Sequence, residues 1–530
     1  MNGTALKSLV LATAMLLAAG LGATAQTAYN RGNDADPETL DPHKTSTVAE
    51  TNILIDLYEG LVIYDAKANV VPGVAEKWTI SPDGLTYTFT LRGDAKWSNG
   101  DKVTAGDFVF SFQRILDPAT AAKYANVLYP IKNAEKVNKG SLKPDQLGVK
   151  AVNDGTLEIA LEAPTPYFIQ QLTHQTAMPV HPPTVKKYGA DFVKPGNMVS
   201  NGAYILQAFT PNDKVSLVKN VNYRDAASVK IERVNYIPFE DRPACMRRFE
   251  TGEIHSCSDV STQQMPYVKD HLAKQFRAAS ELGTYYYAIN VNKPPFNDPR
   301  VRRALSESID RDFLAHSIWA DSMVPAGSFV PPGIGDYAAG PAVADYAAKS
   351  QLEREDEAKA LLAAAGFGPG KPLTLQIRYN TGDNHKNTAT AIADDWKRVG
   401  VVATFINIDG TTHYSYLQNG GDYDIARAGW VADYSDPQNF LFLAQSDNKA
   451  LNYSHYNNPA YDKLMQQAAA ETDLGKRSQI LHQAEAIFMT DTPSIPLLFY
   501  GSRSLVSDKL KGWEDNVVNF HPTRLMSLAN

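Results

Sequence analysis

The chain has 530 residues, 44% of them hydrophobic and 21% charged, with a formal net charge of −7. That length allows two to four domains around a sizeable core, and the composition is that of an ordinary soluble globular protein. Lysine and arginine are scattered without a basic stripe, which leaves no footprint for nucleic acid.

Met1 to Ala25 carries one charge, Lys7, then an uncharged apolar run from Leu9 to about Leu21, then Ala23-Thr24-Ala25. This pattern predicts a secretory signal peptide with cleavage after Ala25. The apolar run is too short to span a bilayer, and no later apolar segment of about 20 residues follows, so the mature chain is expected to be soluble outside the cytoplasm. No cysteine follows the cleavage site, so no lipid anchor is expected there. Cys245 and Cys257 are the only 2 cysteines, and in an oxidising compartment they are expected to form a disulfide. Even with His255 close by, two cysteines make a poor zinc site.

In chain order, the two prolines of PETLDPHK (37–44) hold that segment in turn and extended conformations. A helix is predicted from about Glu50 to Glu59, with Ile53, Leu54 and Leu57 on one face. The turn Pro82-Asp83-Gly84 precedes a strand in which Leu85, Tyr87, Phe89 and Leu91 alternate with threonines, the pattern of a hairpin with one apolar face. Thr104 with Asp107 three residues on resembles a capping box, opening a helix that carries Phe108, Phe112 and Ile115. A second hairpin is predicted around Asn153-Asp154-Gly155. Residues 59–181 therefore read as a compact antiparallel α+β unit.

From 182 to 282 the pattern changes to strands at Val215–Lys219 and Ile231–Pro238 and a helix near Arg242–Thr251. A tyrosine-rich strand, Gly283–Val291, then leads through Pro294-Pro295 to a helix capped by Asp298 with Pro299 at its first position. Tyr285, Tyr286 and Tyr287 read as strand packing. From Leu373 the order is a strand to Tyr379, a helix from about Lys386 to Val399, a strand Val401–Ile408, a short helix Thr411–Gln418 and a strand ending at Arg427. That alternation predicts a parallel α/β sheet. Ligands in such sheets sit beyond the carboxyl ends of the strands, where His385 and Arg427 fall. Helices near Pro459–Ala470 and Leu474–Met489 and a strand Ser494–Tyr500 close the unit.

The stretch DYDIARAGWVADYSDP (422–437) concentrates the chemistry. Ile425, Ala426 and Ala428 read as a buried strand, and Arg427 in their midst must meet a carboxylate of the protein or of a ligand. Ser435 or Asp436 can cap a helix opening at Pro437, which leaves Asp433 without a capping duty. Ala428 and Gly429 leave room beside Trp430 for another backbone to approach. Two readings stand: Arg427 and Asp433 neutralise each other in the core, or they hold the two ends of an extended zwitterion.

The chain has no Gly-x-Ser-x-Gly elbow, no phosphate-cradling loop and no His-Glu-x-x-His pair, so an enzyme has little support and no cofactor is expected. Its 11 histidines are scattered singly. His413 and His455 fit no metal-ligand spacing.

Together, PETLDPHK, PGVAEKWTISPDG, LRGDAKWSNGDKVTAGDFVFSFQR (91–114), NKPPFNDPRVRRALSESIDR (292–311) and ARAGWVADYSDP resemble the periplasmic oligopeptide-binding proteins of bacterial ABC importers, over nearly the whole mature chain. The resemblance implies an α/β, bilobal periplasmic-binding-protein fold with two α/β lobes and an extra α+β domain. One lobe would be 26–58 with 182–282 and 501–530, the insert 59–181, and the second lobe 283–500. The lobes would close on an extended short peptide, pairing it with main chain at Ser46, Thr47 and Val48 and at Gly429, Trp430 and Val431, and deliver it as a monomeric receptor to an inner-membrane ABC permease. By the same resemblance Asp433 takes the peptide ammonium, Arg427 its carboxylate and His385 the end of longer peptides, while Tyr124 and Trp430 line the pocket.

Departures from the family's pattern matter as well. A lysine that meets the carboxylate of very short peptides is Trp319 here, a pocket arginine is Gln418, and a pocket acid is Ser46. The familiar disulfide is absent, its positions falling on Gly283 and Val431, so a Cys245–Cys257 bridge would be different. A dedicated receptor for a murein peptide or another zwitterionic solute is the alternative within the class. An extracytoplasmic hydrolase or metal carrier is the weaker one outside it.

Overall fold

The computed structural model describes residues 28–45, 47–239 and 241–529, with main chain only at 410 and 411. The expected signal peptide and Ser46 lie outside the described residues.

One sheet of 11 strands runs through the molecule. From one edge its order is Val401–Ile408, Leu373–Asn380, Ile425–Val431, Phe276–Ile289, Ser494–Val506, Ser256–Cys257, Ala28–Asn33, Arg233–Pro238, Lys214–Lys219 and Tyr204–Thr210, with Met323–Pro325 added beside Ser494–Val506. The first three strands are parallel, as their alternation with helices predicts. The sheet is nevertheless mixed, because Ile425–Val431 continues antiparallel to Phe276–Ile289.

Two strands are long because both halves of the sheet use them. Phe276–Ile289 and Ser494–Val506 pair antiparallel, and their register breaks between Ser280 and Thr284. Before the break, Phe276 faces Leu505, whose neighbourhood pairs with Ser256–Cys257; beyond it, Tyr285–Ile289 faces Ile425–Gly429. The predicted strand Gly283–Val291 is thus only the second half of the observed one. Its first half, FRAASEL, lacks the alternation that marks a half-buried strand.

Residues 75–160 build a separate four-stranded antiparallel sheet, Ala75–Ile80, Thr86–Leu91, Thr156–Ala160 and Val149–Asn153 in spatial order 1-2-4-3. Both predicted hairpins are present. Tyr87, Phe89 and Leu91 point into a core shared with Trp97, Phe108, Phe112 and Ile115. The capping box forms with both of its bonds, Thr104 Oγ1 accepting from Asp107 N–H and Asp107 from Thr104 N–H.

In the second half the sheet is covered on both faces, as parallel strands require. Tyr285, Tyr287, Ile377 and Trp396 lie in one core; Tyr286, Ala426, Phe440 and Phe488 lie in the other. A fourth core surrounds Cys245 and Cys257, which are joined as a disulfide with Cα atoms 6.1 Å apart. Among the described residues no helix is long and apolar enough to cross a membrane.

Candidate functional site

Parallel pairing along Ile425–Val431 stops early. Leu373–Asn380 pairs with it only at Ile425 and Ala426, while the antiparallel partner follows it as far as Val431. Arg427 is therefore mid-strand rather than at the strand end, yet it is the first residue beyond the parallel ladder. From here to Val431 one strand edge carries no neighbouring strand, and Val431 is 57% exposed.

The Arg427 side chain turns inward and is only 6% exposed. Its Nη1 donates to Asn380 Oδ1 at 3.0 Å and to the Tyr414 hydroxyl at 2.5 Å, and Nη2 donates to the Tyr500 hydroxyl at 2.9 Å. The guanidinium carbon lies 4.6 Å from the centre of the Tyr285 ring. Burial disfavours its charge; the coulombic effect of Tyr500, Tyr285 and Tyr414, which raises the pKa, acts only where those hydroxyls are ionised and so compensates nothing near neutral pH. Every partner is neutral. Among the described residues Arg427 makes no ion pair and its Nε finds no acceptor, so the internal Arg427–Asp433 pair is not formed.

Asp433 is the complement. Its main-chain N–H donates to Asn439 Oδ1 at 3.0 Å, and the same oxygen takes the Trp430 indole N–H at 3.0 Å, which ties the two positions together. The carboxylate is open to solvent, yet surrounding protein desolvates it enough to raise its pKa. It too forms no ion pair among the described residues. Asp436, three residues on, is spent: it accepts from Gln438 N–H at 2.8 Å and from both terminal nitrogens of buried Arg477, while the helix itself starts at Gln438 with Pro437, not Ser435 or Asp436, in the cap position.

His385 lies in the first turn of the helix Asp383–Arg398, which begins earlier than predicted. Its Nδ1 shares a hydrogen bond with the Tyr285 hydroxyl at 3.1 Å. Burial, helped by Arg427 and His413, pushes its pKa down to about 3, so the ring is neutral at physiological pH. Trp319 is edge-on to Tyr285 at 5.5 Å, and its indole N–H donates to Thr388 Oγ1 at 3.0 Å. His413, buried, donates from Nε2 to the Arg427 carbonyl at 2.8 Å. Gln418 lies exposed at the end of the helix Gly410–Gln418, beside Tyr453.

The first half of the chain approaches the same place. The charge of Asp433, second to burial, raises the pKa of Tyr124, and the ring of Tyr167 stacks on Tyr434 at 5.2 Å. Thr47 caps the helix Val48–Leu57. Its N–H goes to Glu50 Oε2 and its carbonyl to Thr51 N–H, so its main chain is engaged within the helix end. Val48, the first helical residue, is 66% exposed.

Two expectations change in detail. The space at Gly429 is taken by the site itself: a Cβ there would collide with the Tyr500 hydroxyl and stand 3.3 Å from Arg427 Nη2. Gly283 does the same for the Tyr500 ring. Tyr285 packs in the strand as expected and also cradles Arg427. Asn380, Tyr414 and Tyr500 were not singled out by the sequence, and Tyr285 was read only as strand packing. The signal available for Tyr285 was cross-strand parity, since it shares a face with Tyr287, the direct partner of Arg427.

Residues 69–452 match the model for bacterial extracellular solute-binding proteins, family 5, middle. The chain is 38% identical over 520 residues to the periplasmic oligopeptide-binding protein OppA of Salmonella typhimurium, covering 96% of this chain and 94% of that one. It is 39% identical to the periplasmic murein peptide-binding protein MppA of Escherichia coli, covering 91% and 89%. Among solved structures, the unliganded open form of MppA superposes with a TM-score of 0.89 at 36% identity over 95% of this chain and 98% of that one. A second structure of the Escherichia coli protein gives 0.74 at 37% identity over 94% and 98%. Of these two structures, the unliganded open form is the one the chain matches more closely. The chain belongs to family 5 of the bacterial extracellular solute-binding proteins.

Proposed function

We propose that this protein is a periplasmic receptor that encloses short peptides in extended conformation and delivers them to an inner-membrane ABC permease, without covalent chemistry. The observation that carries this reading is Arg427: a buried guanidinium held by three neutral partners, with no carboxylate among the described residues. Leaving such a charge uncompensated costs several kcal/mol, which a ligand carboxylate recovers on binding. Asp433 supplies the opposite charge for an ammonium. The unpaired edge at Gly429–Val431 offers main-chain bonds to a peptide whatever its side chains.

On this reading the two α/β lobes, 26–58 with 182–282 and 501–530, and 283–500, close about the crossing strands, and the insert 59–181 contributes Tyr124. Thr47 and Val48 would line the opposite wall rather than pair as a strand in the open state. The chain acts as a monomer, exported by its signal segment.

A dedicated murein-peptide receptor is the second reading. It is favoured by the likeness to MppA and by the neutral side chains Trp319 and Gln418, which leave fewer charges to hold peptides of different lengths. Native mass spectrometry of protein purified from its periplasm, followed by denaturation and identification of what is released, separates the two. A mixture of peptides of narrow length range supports general uptake. A single murein peptide supports the dedicated receptor, and a ligand without both an ammonium and a carboxylate overturns both.

A further inference from the structure

A cavity of about 430 Å³ is lined by neither Arg427 nor Asp433. Its volume is that of a small-molecule site. One wall comes from the first part of the chain, with Val70, Trp78, Ile80, Pro164 and Ile169, and the other from the second part, with Gly335, Asp336, Thr472 and Leu474. At Gly84 the walls meet, where a Cβ would touch both Pro164 and Thr472.

The apolar side of this cavity is not covered by the protein. Ile80 remains 47% and Leu474 44% exposed, on opposite walls. Most large apolar residues of the chain are buried, so two exposed ones facing a common space mark a place where an apolar body is missing.

Its polar end has an excess of acceptors. Gln170 Nε2 donates to Asp336 Oδ2 at 3.2 Å, which orients the amide so that its buried Oε1 has no hydrogen-bond partner. Asp336 forms no ion pair among the described residues. Arg477, whose pKa the nearby Asp336 helps to raise, spends both terminal nitrogens on Asp436. The Ser435 hydroxyl accepts from Gly335 N–H at 2.8 Å. An unsatisfied carbonyl next to an unneutralised carboxylate calls for a donor that carries positive charge.

We propose that this cavity is a second ligand site for a small apolar organic cation, its ammonium between Asp336 and Gln170 Oε1 and its hydrocarbon body against Trp78, Ile80, Ile169 and Leu474.

The test is calorimetric titration of the full mature protein with 2-phenylethylammonium. One equivalent should bind wild type and Asp433→Asn alike, at least tenfold more weakly to Asp336→Asn and several-fold more weakly to Ile80→Ser. The neutral analogue 2-phenylethanol should bind at least tenfold more weakly than the amine. Absence of saturable binding, equal affinity in Asp336→Asn, or equal affinity for the alcohol would each overturn the proposal. So would loss of binding in Asp433→Asn, which would place the amine in the peptide cleft. Peptide affinity measured on the same variants tests the peptide reading separately, because Asp336 and Ile80 lie outside that cleft.

Discussion

The Tyr500 hydroxyl takes a 2.9 Å hydrogen bond from Arg427 at the place where any side chain on residue 429 would stand. Glycine at 429 is therefore a condition of the cation's geometry. Gly429→Ala should displace Tyr500 and tilt the guanidinium, weakening peptide binding about 10- to 100-fold, the worth of a hydrogen bond to a charged group. Tyr500→Phe should give about tenfold, since its ring still fills the gap at Gly283. Calorimetry with one peptide across the three proteins checks the order.

Arg427→Met separates a ligand clamp from a structural cation. A buried charge without a counter-charge is a burden on the fold, so the unliganded variant should melt at the same temperature as wild type or higher, while peptide affinity falls more than 100-fold. A drop of several degrees in the unliganded protein would instead mean that the guanidinium holds the core together.

Five buried histidines weaken the fold in acid. Burial pushes His43, His174 and His413 down to about 4 and His385 and His521 to about 3. An unfolded histidine titrates near 6.5, so between these values the unfolded chain binds more protons than the folded one. Stability from these groups is full above about pH 6.5 and is lost as pH falls toward 4. A His43→Asn/His174→Asn variant should lose stability less steeply than wild type over that range, read from denaturant midpoints.

The Cys245–Cys257 bridge closes a short loop far from the clamp in sequence and core. Reduction should cost about 2–3 kcal/mol of stability from the loop entropy restored to the unfolded chain, with peptide affinity unchanged. Denaturation and titration with and without reductant test both halves of that statement.

Much of this was legible in the residues. Period-2 alternation marked Thr86–Leu91, the spacing of Thr104 and Asp107 marked a helix start, and the strand–helix alternation after Leu373 marked the parallel ladder. An arginine among small apolar residues pointed to Arg427 as a site residue. Its surroundings were not legible, because Asn380, Tyr414, Tyr285 and Tyr500 converge from four elements that only tertiary packing brings together. The choice between an internal ion pair and a ligand clamp was closed to the sequence for the same reason: whether Asp433 reaches Arg427 depends on how the chain turns at Trp430, where Asn439 holds both the indole and the Asp433 main chain. The two-lobed crossing was also hidden, since its first strand begins in a stretch without apolar periodicity.

The central claim is that the two ends of one peptide are held by Arg427 and Asp433. Its most direct test is calorimetric titration with alanine peptides of two to five residues, each in free, C-terminally amidated and N-acetylated form. The account predicts that the length bound best loses at least 100-fold in affinity on either modification, and that Asp433→Ala removes the penalty for acetylation because free peptide no longer binds well. Equal affinity for free and doubly capped peptides would contradict it.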